Sequence, residues 1–543
     1  MAYDQITRRS FFKLGTQAHQ RISHFDSKWP NQDMGRLHQP LADDEPFVFA
    51  LPEPSSPPEK KNITASLKSL SPQSWDMDKA AHLLRRTVPG ATYSDIKRFY
   101  DMGLDAAVDA LLQIKHKPNP PGDWVTEEVP NFRAMTTAQR QEYQTLYRNR
   151  RIELIEWWQG TILKSDVSII ETMTIFWHEH FATNAQKVYF PQAIYEQNDA
   201  IRTHCLGNFK DLLRKVTFGP AMMIWLDSYR SRKQSPNENF PRELLELFTM
   251  GVDTYSQDDI VAASRAFTGY STDGYLTNYH FDAKRADGDY YQKYHDFNHK
   301  TFLGKHGYFD GDDIIDIIME QDAVANFICT KIYKWFVYEL PDENFVKEMA
   351  RVFRDNNYNI PSVMRYLLTS EHFYDNNIRG AQIPNPAIQV LGLIRRMGHG
   401  TRAFPSKYIL RYMEVMGMVL LYPPDVNGWT GHRAWINSVT LPIRKLFSTI
   451  IIDPNMDQKL KFETNLVNLA WDLPNPNNAR QLVKDLALVY FGLPISEVLE
   501  DKLVEILLDG AAEYDWEVNA TGADTRLRGL YNYMLRLPEA QLI

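Results

Sequence analysis

From Ser74 onward, apolar residues recur every three or four positions, the spacing that lines up one face of an α-helix, and caps and breakers punctuate the runs. Ala80, Ala81, Leu83 and Leu84 form one stripe, ended by Pro89-Gly90. Thr92 then caps a segment carrying Ile96, Phe99 and Tyr100, stopped at Gly103, and a third helix runs from Leu104 through Leu112. The span from Thr136 to about Lys164 predicts a long charged helix with Leu146, Ile152, Ile155 and Trp158 on one side. Pro241 takes a first-turn position ahead of Leu244, Leu245, Leu247 and Phe248, and Gly251 is placed to end that helix. Ser256 with Asp259 reads as a capping box for Ile260 to Phe267, closed by Gly269.

Between Tyr270 and Gly311 the period changes. Tyr275, Thr277, Tyr279 and Phe281 alternate, and Asp287-Gly288 is a turn signal before Tyr290 and Tyr291, so a hairpin is expected there. Helical patterning returns from Asp312, with proline-rich loops at Ile383–Pro386 and Tyr422–Pro424. The predicted fold class is mainly α: a large multi-helix globular body with a small β-hairpin excursion.

Residues 26–73 are rich in Pro, Ser, Asp and Lys and read as a linker, too polar to offset the entropy of ordering. The expected division is a terminus over 1–25, this linker, a main helical domain over 74–452 and a helical terminal subdomain over 453–543, interrupted by a turn at Pro474-Asn475-Pro476. Within the first stretch, Thr7-Arg8-Arg9-Ser10-Phe11-Phe12-Lys13 has the form of a twin-arginine export motif. The apolar stretch that should follow is missing, since Leu14-Gly15 gives way to Thr16-Gln17-Ala18-His19-Gln20-Arg21. Three readings stand: a relic signal on a cytoplasmic protein, co-export to the periplasm or envelope with a partner that carries a full signal, or a chance basic turn.

Charge narrows the partners. Sixty Lys and Arg stand against 68 Asp and Glu, a net charge of -8, with no basic stripe suited to phosphates, so nucleic acid is not an expected partner. No apolar run reaches the length of a membrane span. The 2 cysteines, Cys205 and Cys329, each sit in an apolar helical stretch and read as buried free thiols. An aromatic fraction of 13% fits a core packed with rings, or a carbohydrate-stacking surface.

Six segments in order resemble the bacterial domain-of-unknown-function family 1800. They are Ala80–Arg86, Phe176-Trp177-His178-Glu179-His180-Phe181, Pro241–Gly251, Ala266–Gly269, His295-Asp296 with Lys300 and Phe302–Gly304, and Tyr422-Pro423-Pro424-Asp425-Val426-Asn427-Gly428-Trp429. The resemblance implies a helical, commonly exported protein and, as partner, an exported sulfatase-like neighbour. Two positions depart from it. Asn298 stands where a glycine is usual, a replacement that tolerates a left-handed backbone, and Gln382 and Asn385 replace a lysine and a serine, which weakens any anion-binding role of that loop.

The same segments hold the candidate chemistry. His178 and His180 are two apart, roughly 200° around a regular helix, so both reach one metal only if the helix ends there; otherwise one is a core histidine and the other solvated. Arg242 and Glu243 open a helix, where Glu243 would supply a carboxylate and Arg242 would hold it or a substrate anion, or where Arg242 simply pairs with Glu246. His295 and Asp296 form a loop pair in which the carboxylate would orient the imidazole, with Lys300 as a charge. Trp429 and Trp435, spaced around glycines, make either a rigid packed loop or a stacking platform for a glycan.

Nucleophile-elbow, phosphate-loop, His-Glu-x-x-His and dinucleotide signatures are absent. Two function classes follow. One is a non-catalytic envelope protein that binds a partner protein or glycan. The other is a metal-assisted hydrolase, with His178, His180 and His295 as ligands to a divalent metal and His178, His180, Glu243, His295 and Asp296 as the catalytic groups. In the second, those five and Arg242 are expected to converge on one cleft.

Overall fold

Polar caps decide where the helices begin. In the computed structural model, which describes residues 51, 54, 56–114, 117–130, 132–270, 294–400, 406–457 and 459–543, Thr92 and Asp95 cap each other's backbone N–H at the start of Tyr93–Met102. The same reciprocal box opens Thr137–Lys164 through Thr136 and Gln139, Gln257–Ala266 through Ser256 and Asp259, and Gly311–Met319 through Asp310 and Asp313. The twin-arginine-like motif and the alternating stretch from Tyr275 to Tyr291 lie outside the described residues.

Helices make up nearly all the regular structure among the described residues. The strands are Lys300–Phe302 and Lys305–Gly307, an antiparallel hairpin with Thr301 opposite His306. Leu303 and Gly304, both at positive φ, make the tight turn whose twist matches the strands. A small hairpin is thus present between Tyr270 and Gly311, but at residues expected to form the loop after it and not at Tyr275–Tyr291.

The long Thr137–Lys164 helix buries Tyr147, Leu154 and Ile162 together with Ile152, Ile155 and Trp158, while Leu146 is 38% exposed. Leu146 therefore does not belong to the buried face. Tyr147 takes that place because it joins a ring cluster with Phe132 and Tyr189. Asn239–Glu243 holds Pro241 in its first turn, then widens into a π-helical turn over Leu244–Thr249.

At the centre lies Ile170–His180. Every residue of this helix except Glu179 is buried, so it has neighbours on all faces. The Thr172 hydroxyl donates to the Thr87 carbonyl at 2.8 Å, and the Trp177 indole donates to the Cys205 carbonyl at 3.1 Å. Glu171 pairs with Arg202 at 2.7 Å and accepts the Trp158 indole at 2.9 Å. Cys205 and Cys329 are free and buried, and burial pushes the Cys205 thiol up to about 12. No helix among the described residues is long and apolar enough to cross a membrane.

Part of the segment expected to be a linker lies against the body. Tyr338 donates to the Glu59 carbonyl at 2.6 Å, Leu70 donates to the Thr369 carbonyl at 2.8 Å, and the Asp375 carboxylate accepts the Thr64 and Ala65 N–H groups, each at 3.1 Å. Composition measures only what a segment can bury by itself, whereas these bonds satisfy an extended backbone from outside. Burial pushes the Asp375 carboxyl up, but the N–H donors of Asn377, Thr64 and Ala65 outweigh it and hold the group below its usual range.

Replacing Asp375 with Ala should therefore cost about 1.5–3 kcal/mol, the range for hydrogen bonds to a charged group, and speed proteolysis within residues 56–71. Because the folded value is depressed, the contribution is present above the ordinary carboxylate value of 3.8 and lost as pH falls through the lowered one. Digestion at equal rates in both proteins would mean that these bonds do not hold the segment.

Candidate functional site

The residues expected to form one cleft have separate partners. His178 and His180 stay on a continuous helix, so their rings leave on different sides. The His178 ring meets Trp158 edge-on at 5.3 Å and Trp429 at 5.8 Å. His180 lies among Phe181, Phe209, Phe248 and Phe327. Its Nε2 donates to the Phe248 carbonyl at 3.0 Å, inside the π turn, where the regular ladder is interrupted. Burial pushes His178 down to about 3 and holds His180 well below the usual imidazole value, so both are neutral.

Arg242 donates to Gln257 at 3.0 Å, and Glu246 accepts the Tyr255 hydroxyl at 3.0 Å, so the expected Arg242 to Glu246 pair does not form. The Glu243 carboxyl is raised by burial and then by Glu246. His295 Nδ1 donates to the Thr268 carbonyl at 2.8 Å, whereas the Asp296 carboxylate takes Arg265 at 2.7 Å. In place of orienting the imidazole, Asp296 locks its own loop, accepting the Asn298 N–H at 2.8 Å. Lys300, 1% exposed, donates to the Asn298 carbonyl at 3.0 Å and also to the Asp296 carbonyl.

Among the described residues no three His, Cys, Asp or Glu side chains are grouped as a cation needs. His178, His180 and His295 are thus not brought together as a metal trio. Trp429 and Trp435 are 5% and 3% exposed. A stacking platform needs an open indole face, so these two rings belong to the packed loop.

That loop instead closes over Glu179, the residue between the two histidines. Asn184 donates to the Pro423 carbonyl at 2.8 Å and Ala185 to the Leu421 carbonyl at 2.9 Å, docking the loop on the end of the Ile170–His180 helix. Gly428 has φ +85, and a Cβ there would stand 2.8 Å from the Glu179 carbonyl oxygen and 2.9 Å from its Cγ. Gly431, at φ +71, presents its Cβ position 3.9 Å from both Glu179 Oε1 and the Trp435 indole nitrogen. The next residue, His432, holds a left-handed φ of 48, a strain that persists only where the surroundings impose it. The Asp322–Phe336 helix contributes Lys331, whose charge acts on Glu179 and whose ammonium sits 5.1 Å over the Phe327 ring.

The electrostatics around Glu179 are unusual. Burial drives the Glu179 carboxyl up to about 8, against an opposing pull from Lys331. Burial likewise drives Lys331 down to about 8, with Glu179 opposing and Lys334 reinforcing. His432 is pushed down to about 4 by burial and then by Lys334. Glu179 and Lys331 do not close to ion-pair contact, and neither side chain hydrogen bonds to another described residue. A carboxylic acid and an amine that exchange protons near neutrality are the components of acid–base chemistry.

A family model for proteins of unknown function, DUF1800, matches residues 82–542. The chain belongs to that family. No curated protein and no solved structure matches it. The DUF1800 match takes in both the Ile170–His180 helix and the glycine-tryptophan loop, so Glu179, Lys331 and His432 all lie within the family's extent.

Sequence reasoning passed over Glu179, Lys331 and His432 in this DUF1800 chain. A signal for the first was present: Glu179 is a charge between two histidines in an aromatic run, Phe176-Trp177-His178-Glu179-His180-Phe181. Gly428→Ala should destabilise the protein by about 1–2 kcal/mol for the left-handed backbone alone, with the clash against Glu179 adding to it. Thermal unfolding measures this. A variant as stable as the parent would show that the loop does not pack on Glu179 as described.

Proposed function

We propose that this DUF1800 protein is an acid–base enzyme, with Glu179 as proton donor and a polar substrate entering between the Asp425–Trp435 loop and the Asp322–Phe336 helix. One observation carries the reading: on a helix otherwise buried throughout, Glu179 alone reaches solvent, and its carboxyl is driven up to about 8. Such a group is still protonated at neutral pH and able to give its proton to a leaving oxygen.

Lys331, driven down to about 8, has a neutral amine fraction that accepts the proton of an attacking water. Proton return from the Lys331 ammonium to the Glu179 carboxylate then restores the starting state. This makes the reaction a hydrolysis with an oxygen leaving group. His432, neutral above about 4, follows Gly431 in the loop that covers Glu179 and offers a hydrogen-bonding imidazole.

The test is a titration of Glu179 by carbon-13 NMR in the full chain, assigned with Glu179→Gln. The expected midpoint is near 8, moving higher in Lys331→Met. A midpoint at the ordinary carboxylate value of 4.5 would end the proposal. Because the folded value is raised, the protonated carboxyl stabilises the fold below 4.5, and that stability is lost as pH rises through about 8. Glu179→Gln should therefore gain stability relative to the parent as pH climbs through this window, while losing any hydrolysis of a panel of nitrophenyl esters, phosphates and glycosides.

A further inference from the structure

The turn at Pro474-Asn475-Pro476 joins the Leu466–Trp471 and Ala479–Tyr490 helices and lines an open cleft of about 830 Å³, together with Trp471, Glu513 and Tyr514. Trp471 is 46% exposed and Tyr514 88%, whereas Trp429 and Trp435 are packed away. An indole has one polar atom, and the Trp471 N–H is already given to the Asn519 side-chain oxygen at 3.0 Å. What that ring still shows to water is therefore carbon, held in one orientation. Single exposed rings are ordinary, but two lining one cleft make a patch that suits a ligand.

The turn beside the rings is rigid. Proline fixes φ on both sides of Asn475. The buried Trp516 indole donates to the Pro476 carbonyl at 2.9 Å, and the Val518 N–H donates to Asn477 Oδ1 at 2.9 Å. Asn478 Oδ1 accepts the Gln481 N–H at 2.9 Å as cap of the Ala479–Tyr490 helix. These bonds use the oxygens of Asn477 and Asn478 and leave their NH2 groups without an acceptor among the described residues, and Asn475 makes no side-chain bond to any of them. All three line the cleft. Its one acidic side chain, Glu513, faces Arg480 at 3.6 Å, so that charge is offset.

This combination suits a neutral polyol with an apolar face. A pyranose lays its C–H face on an aromatic ring, and each hydroxyl on its rim both donates and accepts, so it uses the amide NH2 groups and the carboxylate together. A proline-rich peptide would also stack on the rings, but it brings few N–H donors for Glu513 and Asn475 Oδ1. An anion meets no cation in the lining. We propose that this cleft binds a neutral saccharide, its rings stacked on Trp471 and Tyr514 and its hydroxyls bonded to Asn475, Asn477, Asn478 and Glu513. The site does not rest on the acid–base reading of Glu179.

Calorimetric titration of the full chain with cellotetraose, maltotetraose, xylotetraose and chitotetraose tests this, with a decaproline peptide as the rival ligand for the same rings. At least one of the four saccharides should bind saturably at one site. Tyr514→Ala and Asn475→Ala alter exposed side chains that make no bond to the rest of the described fold. Each should leave the melting temperature unchanged and weaken that binding at least fivefold, and Trp471→Ala should abolish it. No saturable binding by any of the four, binding unchanged in these variants, or tighter binding of the peptide than of every saccharide would overturn the proposal.

Discussion

A helix buried on every face sets the terms for everything around it. Ile170–His180 has no solvent side to receive its polar groups except at Glu179, so each of the others needs a partner inside the protein. Glu171 shows the demand most clearly. Its carboxylate is held by Arg202, itself braced by Asn198 at 2.6 Å, and by the Trp158 indole. Removing one member would leave an uncompensated buried charge, which costs several times what an exposed pair contributes. Thr172 and Trp177 are tied to backbone carbonyls of other segments, and these tethers fix the helix in rotation and along its axis.

The functional reading follows from that constraint. With the helix immobilised, the Glu179 side chain has a fixed direction, and the loop that covers it must come close enough to exclude water without displacing it. Gly428 and Gly431 permit the approach, while Trp429 and Trp435 fill the space behind. The exclusion of water raises the carboxyl, and the same exclusion lowers Lys331. Rigidity and chemistry thus have one cause. His178 and His180 support the arrangement as neutral packed rings, and the His180 bond to Phe248 satisfies a carbonyl within the π turn.

Buried positive charge meets three fates in this molecule. Arg202 is neutralised by a carboxylate, and Arg86 is absorbed by three carbonyls at the ends of other segments. Arg85 and Arg379 keep unpartnered Nε groups beside a cavity. Folding alone explains the first, whose donors all have acceptors within the fold, whereas the Nε of Arg86, like those of Arg85 and Arg379, has none.

What the sequence by itself determined is local. The cap at Thr92, the capping box at Ser256 and the family's motifs are written in residues a few positions apart, and backbone hydrogen bonding acts over that range. Leu146 misled because two adjacent apolar residues compete for one face, and only the rings of Phe132 and Tyr189 decide for Tyr147. The same limit applied to Asp296, whose neighbour in sequence is His295 but whose charge partner, Arg265, comes from another helix. Glu179, Lys331 and His432 come from three distant segments, and nothing in any one of them shows that burial will bring the proton affinities of the first two together. Desolvation depends on what surrounds a group in space, so tertiary structure alone decided which of the charged residues have shifted proton affinities.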